Sequence, residues 1–465
     1  MASGAMPAEG PSPETETGMI AEASGQARIF QSAHDQIIYE GEPPYRLSPV
    51  PLAAPVLEDE RLTLQPSRML RAHFEIVPFM GRKTEIAHLE KWRDAHSATS
   101  VQLIYGPGGQ GKTRLAMHLA REWADQGWMT LRALPRNDPY GPESIEFTPR
   151  SGMAGILIIA DYAERWETAD LLALLRHSAN PIGFPVRLLL LSRPAGTWWQ
   201  TLVYGLEKTF DIGAETMFLP SLGETPEQRL ELFKEARNRF AYLLNVTSPQ
   251  YIGPPPGIET DSRYGLVLTT HMSALAAVVA HIHGDAAPPN PAELSAFLLA
   301  REREHWRALN RRRDEPLRTV PHAMGQTVYT ATLTGPLDYR DSLTALRLAR
   351  IESTEDPGQL LRDHALCYPP QEDGNFLEPL YPDRLGEDFL ALSTPGHNNR
   401  TYPADPWTLD ALIRLLSSSP GKKRPKPSWA PAAMSLLTEI GTRWPHIASL
   451  TWAGELTRGR HHRRL

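Results

Sequence analysis

Hydrophobic and polar positions follow different rhythms in successive parts of the chain. From residue 1 to about 71 there is no helical period. Pro, Glu, Ser and Ala dominate there, interrupted by one island of β-formers at 23–39. A disordered leader carrying a short β-prone motif is expected. A loop at 76–82 then feeds a segment in which Ile86, Leu89 and Trp92 recur at helical spacing. Apolar runs at 101–105, 155–160 and 186–191 follow, and between the first two Leu115, Leu119 and Trp123 share one helical face. Continuous apolar strands separated by helices predict an α/β core with a parallel sheet covered on both faces.

Beyond 219 the period becomes helical, over 227–244, 266–283 and 291–313, with turn-rich breaks such as Pro254-Pro255-Pro256-Gly257. Residues 316–393 read as short helices with possible strands. One or two helices follow Pro395, interrupted by Pro420-Gly421-Lys422-Lys423-Arg424-Pro425-Lys426-Pro427. The expected divisions are a disordered leader at 1–71, an α/β core at 72–220, an α-helical lid at 221–313, a winged-helix-like or helical unit at 314–395, and a C-terminal helical remnant with a basic tail at 396–465.

Composition narrows the functional classes. The 465 residues exceed one ordinary core, and 43 prolines against 33 glycines favour stiff connectors. A net charge of −6 gives no global argument for nucleic acid or an anionic membrane. The single Cys367 excludes an internal disulfide and a cysteine-based metal site, which fits a reducing compartment. The start has neither a basic region nor an apolar signal core, and no apolar run reaches spanning length, so a cytoplasmic protein without membrane contact is expected. The basic clusters Arg311-Arg312-Arg313, Lys422 to Lys426 and Arg458 to Arg464 read as solvated charge. His271, His281 and His283 lie close together without the acidic partners of a metal site, and Trp198-Trp199 reads as packing.

The chemistry concentrates at three strand ends. Gly106-Pro107-Gly108-Gly109-Gln110-Gly111-Lys112-Thr113 fits the Walker A pattern and sits between an apolar strand and an amphipathic helix. Its glycines let backbone N–H groups curl around phosphate oxygens. Lys112 reaches the outer phosphates of ATP or ADP, and the Thr113 hydroxyl ligates Mg²⁺. Asp161 ends the second apolar run, where a carboxylate meets Mg²⁺ in open α/β folds. Glu164, three residues on, is a candidate for orienting water, because Tyr162 stands where many fast ATPases carry an acid. Arg193 follows the third run and faces the γ-phosphate end of a bound nucleotide, where a guanidinium can report that phosphate.

These residues resemble those of bacterial signal-transduction ATPases with numerous domains, the STAND group with its NACHT and NB-ARC relatives. The resemblance is carried by Gly81-Arg82-Lys83-Thr84-Glu85, Gly111-Lys112-Thr113-Arg114-Leu115-Ala116, Asp161-Tyr162-Ala163-Glu164 and Leu191-Ser192-Arg193-Pro194. Leu380-Tyr381-Pro382-Asp383-Arg384-Leu385-Gly386-Glu387 is similar to a stretch of actinobacterial members. The resemblance implies a switch that closes on ADP and opens on ATP, often with homo-oligomerisation. It places Arg82 near the nucleotide and makes Arg193 a sensor, and Arg114 joins the cofactor-binding candidates. The missing second acid implies slow hydrolysis. The segment 23–39 is similar to short amyloid-like signalling motifs and is a candidate contact for an effector protein. Two other classes compete: an AAA-type ATPase acting on DNA through its winged helix, which salt-dependent DNA binding would mark, and an adaptor that keeps nucleotide structurally.

Overall fold

The computed structural model describes residues 43–54, 65–135, 152–178, 183–314, 316–371, 374–417 and 427–452. The motif at 23–39, the cluster at 422–426 and the tail at 458–464 lie outside the described residues.

The apolar runs become the inner strands of a six-stranded sheet. Its elements are β1 (Tyr45–Pro49), α1 (Lys83–Arg93), β2 (Thr99–Tyr105), α2 (Lys112–Asp125), β3 (Trp128–Pro135), β4 (Gly155–Ala160), α3 (Thr168–Ser178), β5 (Val186–Ser192), α4 (Thr197–Phe210) and β6 (Ala214–Phe218). The strand order is β1-β3-β4-β5-β2-β6. All neighbours are parallel except β1, which runs antiparallel to β3. The period of two sorts side chains by face. Val101, Leu103, Ile156 and Ile158 pack with Leu171, Leu174, Trp199 and Leu202 of α3 and α4. Ile104, Leu157, Ile159, Leu189 and Leu191 pack with Leu89, Trp92, Leu115, Leu119 and Trp123 of α1 and α2.

One charge interrupts the third apolar run. Arg187 is fully buried, and its guanidinium donates to the carbonyls of Trp92 (3.1 Å), Arg93 (3.0 Å), Ala95 (2.6 Å) and Ser97 (3.0 Å). It therefore closes the carboxyl end of α1, whose last carbonyls have no partner within the helix.

The second half is helical: α5 (Pro226–Leu243), α6 (Val267–His283), α7 (Pro291–Asn310), α8 (Pro321–Thr334), α9 (Tyr339–Ala349), α10 (Pro357–Cys367), α11 (Asp383–Ser393), α12 (Trp407–Leu416), α13 (Ala430–Gly441) and α14 (Pro445–Trp452). Local chemistry sets several starts. Thr225 and Gln228 form a capping box around the first turn of α5, Asn290 caps α7, and Asp356 caps α10. One apolar cluster runs from Met69 to Ile447, so the expected divisions at 313/314 and 395/396 coincide with no break in the core. Among the described residues of 316–393, the possible strands come down to one antiparallel bridge, Leu337 with Leu377.

The expectation of a disordered leader through residue 71 is corrected. Residues 45–49 form β1, the 3-10 turn Pro66–Leu70 tucks into the helical half, and a second such turn, Ala72–Phe74, lies against α2. Gln65 donates to Glu302 at 3.0 Å, Ser67 donates to the same carboxylate, and Met69 and Leu70 join the helical core. Neither segment is long enough to show a period, and both are held by partners distant in sequence.

Candidate nucleotide-binding site

Parallel pairing brings three strand ends to one edge. Tyr105 lies beside Ser192, and Ala160 beside Leu190, so the loop after β2, Asp161 after β4 and Arg193 after β5 converge. Between β2 and α2 the loop turns through left-handed backbone at Gly109 (φ 85°) and Gly111 (φ 90°), which a side chain would strain. A Cβ on Gly108 would lie 3.3 Å from the Arg193 guanidinium carbon, so that guanidinium covers the loop. The first turn of α6 also meets the loop, where the Leu268 N–H donates to the Gly109 carbonyl at 3.1 Å. Sequence periodicity identified α6 but carried no sign of this contact.

Within the loop, the Lys112 ammonium donates to the carbonyls of Gly106 (2.6 Å) and Pro107 (3.1 Å). The Thr113 hydroxyl donates to Asp161 at 2.7 Å, and the other Asp161 oxygen accepts the Tyr162 N–H at 2.9 Å. Burial lowers the Lys112 pKa, opposed by the Asp161 charge. Burial likewise raises that of Asp161, against the bonds from Thr113 and Tyr162. A cation hydrogen-bonded to carbonyls and a carboxylate in low dielectric both favour a counter-charge. The Thr113 hydroxyl and Asp161 carboxylate are hard oxygen donors, which fits Mg²⁺ beside a phosphate. They and Lys112 are the groups that would hold Mg-nucleotide, and the ion would supply charge neutralisation there.

Arg82 is buried in left-handed backbone at the start of α1. It donates to the carbonyls of Gln110 (3.0 Å) and Pro220 (2.7 Å) and pairs with Glu85 at 2.9 Å. It thereby ties the phosphate loop to the segment leaving β6. The Arg114 side chain is turned toward 75–77, donating to the Val77 carbonyl at 2.8 Å and pairing with Glu75. Glu164 sits on a short 3-10 turn, where one oxygen accepts the Arg193 N–H at 3.4 Å and the other is buried without a hydrogen-bond partner among the described residues. Burial raises its pKa.

Arg193 finds partners that were not read from the sequence. Its guanidinium pairs with Asp383 at 3.3 Å, with Glu387, and with Glu439 at 3.5 Å. Burial opposes its charge, but Glu387 and Asp383 outweigh that and raise its pKa. The Tyr162 hydroxyl donates to Asp383 as well. A sequence signal existed for two of the three acids: Asp383 and Glu387 are four residues apart at the start of a helix, hence on one face. Glu439 offered none. The Arg311 to Arg313 run is exposed, as are His281 and His283. Among the described residues no helix is long and apolar enough to cross a membrane.

No protein-family model matches the chain, and no curated protein matches it. Solved structures do. An Aeropyrum pernix ORC2 protein in ADPNP–ADP complexes is 14% identical, with 67% of this chain and 94% of that one covered and a TM-score of 0.32. Thermotoga maritima RuvB is 16% identical over 65% of this chain and 91% of that one, with a TM-score of 0.26. S. cerevisiae Hsp104, from a casein complex, is 13% identical over 63% of this chain at a TM-score of 0.33, and only 52% of its own length is spanned. At these scores the likenesses carry no argument. What defines the core is its own geometry: a mostly parallel sheet with Lys112, Thr113 and Asp161 gathered at its carboxyl edge is a P-loop fold.

Proposed function

We propose that the chain is an ATP-binding regulatory switch of the STAND type, in which slow Mg-dependent hydrolysis couples nucleotide state to homo-oligomerisation and signalling. The observation that carries the reading is the Lys112, Thr113 and Asp161 constellation beneath an arginine held by the helical half. Tyr162, at the position of a second acid, donates its hydroxyl to Asp383, which supports a conformational role there in place of a catalytic one. That leaves Glu164 as the nearby carboxylate for orienting water, in keeping with slow turnover. The segment 23–39 is the candidate effector contact.

Lys112→Ala tests the reading by isothermal titration with Mg-ATP. The lysine is a point charge on phosphate, so affinity should fall by about 100-fold or more while the melting temperature moves little. A folded variant that binds as tightly as the parent would refute the assignment.

A further inference from the structure

Position 162, directly after Asp161, carries a tyrosine where a second acid would orient the attacking water. Folding brings an acid toward that place from the other half of the chain. Asp383 opens α11, and its Oδ2 accepts both the Tyr162 hydroxyl and, at 3.3 Å, the Arg193 guanidinium. Two donors on one oxygen fix the direction of the carboxylate. Its Oδ1 accepts no hydrogen bond from a described residue, and the side chain is 27% exposed, so water can reach it. Burial governs the pKa values of Lys112 and Asp161, lowering the first and raising the second, and the Asp383 charge acts on both in addition, raising each. Asp383 therefore stands within reach of the groups that would hold Mg-nucleotide.

We propose that Asp383 is a catalytic residue, the carboxylate whose Oδ1 receives the attacking water when a nucleoside triphosphate is hydrolysed. The proposal rests on the nucleotide-binding reading above and adds to Glu164, on the sheet, a second carboxylate from the helical half. Glu164 is the less open of the two, since one oxygen accepts the Arg193 N–H and the other is buried. In the step, the water oxygen bonds to the γ-phosphorus while the bond from that phosphorus to its bridging oxygen breaks. The electron pair of that bond leaves on the diphosphate, and the water's proton passes to Asp383 and from there to solvent. Tyr162 is then a positioning residue, holding Asp383 by its hydroxyl. A base that arrives with α11 makes the hydrolytic centre a joint property of the two halves: binding needs the loop, and turnover needs α11 beside it.

The test compares the full chain with Asp383→Asn, which keeps an oxygen acceptor for Tyr162 and Arg193 and removes the base. Single-turnover hydrolysis of Mg-ATP should fall by about 100-fold or more, the usual contribution of such a group, with Mg-ADP affinity by isothermal titration held within about twofold. A second readout is binding alone. Mg-ADP with aluminium fluoride imitates the transferring phosphoryl group and its attacking water, so it should raise the melting temperature of the parent beyond Mg-ADP, and Asp383→Asn should lose that increment. Should Asp383→Asn fold poorly, Tyr162→Phe loosens the carboxylate without removing it and should cost about tenfold in turnover with ADP binding kept. Unchanged turnover in Asp383→Asn would overturn the proposal, as would an equal loss in Glu439→Gln, which takes an acid from the same arginine and leaves Asp383 in place. In either case the nucleotide site stands. A parent that binds no nucleotide would overturn both readings.

Discussion

The sheet half and the helical half bury their cores differently. The sheet half has two separate apolar clusters, one per face, and its deepest charge, Arg187, is satisfied by backbone carbonyls. The helical half has one continuous core in which buried acids are satisfied by other side chains. Glu302 accepts from Gln65, Ser67 and Tyr368, and Asp363 accepts from Thr319. A partner fixed in the backbone cannot leave, whereas a side-chain partner can be removed, titrated or exchanged. The sheet is therefore suited to holding a loop still, and the helices to having more than one arrangement. Arg193 stands at the boundary, a sheet residue with helical partners.

Glu302→Ala should break the helical side of this comparison most severely. It strips the acceptor from three buried donors, including Tyr368 at 2.8 Å and Gln65 at 3.0 Å, and should cost about 3 kcal/mol or more. A fall in the urea midpoint measures it. Glu302→Gln, which keeps an acceptor, should recover part of the loss.

Acid should separate the halves next. His364 is fully buried in α10, and burial pushes its pKa down to about 3. Burial, followed by Arg71 and Arg68, pushes His73 down to about 4. Both lie below the ordinary 6.5, so the unfolded chain binds more protons across that window. The stabilisation is whole above pH 6.5 and is lost as pH falls toward these folded values. Arg187 has no titration in this range. The melting temperature should drop between pH 7.5 and 4.5, by about a few degrees, with exchange protection lost first in α8 to α11. His364→Phe should flatten the slope, and an equal slope would place the acid sensitivity elsewhere.

The smallest effect belongs to the sheet. Ile159→Val removes one methylene from the face shared with α2 and should cost about 1 kcal/mol, with nucleotide affinity unchanged. A loss of affinity without loss of stability would mean that the sheet tunes the site and does not merely carry it.

Several parts of this protein were decided by the sequence alone. The run from 101 to 125 contains its own instructions: an apolar strand, glycines where the loop turns through positive φ, and an amphipathic helix, all within about 25 residues. Asp161 and Arg193 were legible for the same reason, because each ends an apolar run and parallel strands deliver such ends to one edge. The helices at 226–243, 267–283 and 291–310 followed from a period that needs no partner to be recognised. The outer strands did not. β6 is an edge strand with exposed Glu215, Thr216 and Phe218, so nothing forces its residues to be apolar throughout. β1 is five residues long and is defined by its antiparallel partner β3.

Only the tertiary structure decided what Arg193 touches. Asp383 is 190 residues away and Glu439 farther still, and an acid at a helix start is ordinary in sequence until folding gives it a counter-charge. Likewise nothing local in 65–74 says that it will lie against Glu302, 237 residues beyond Gln65. Strand, loop and helix are written in short-range spacing. Charge partners are a property of the packed chain, because a salt bridge constrains two positions in space and leaves no period along the sequence.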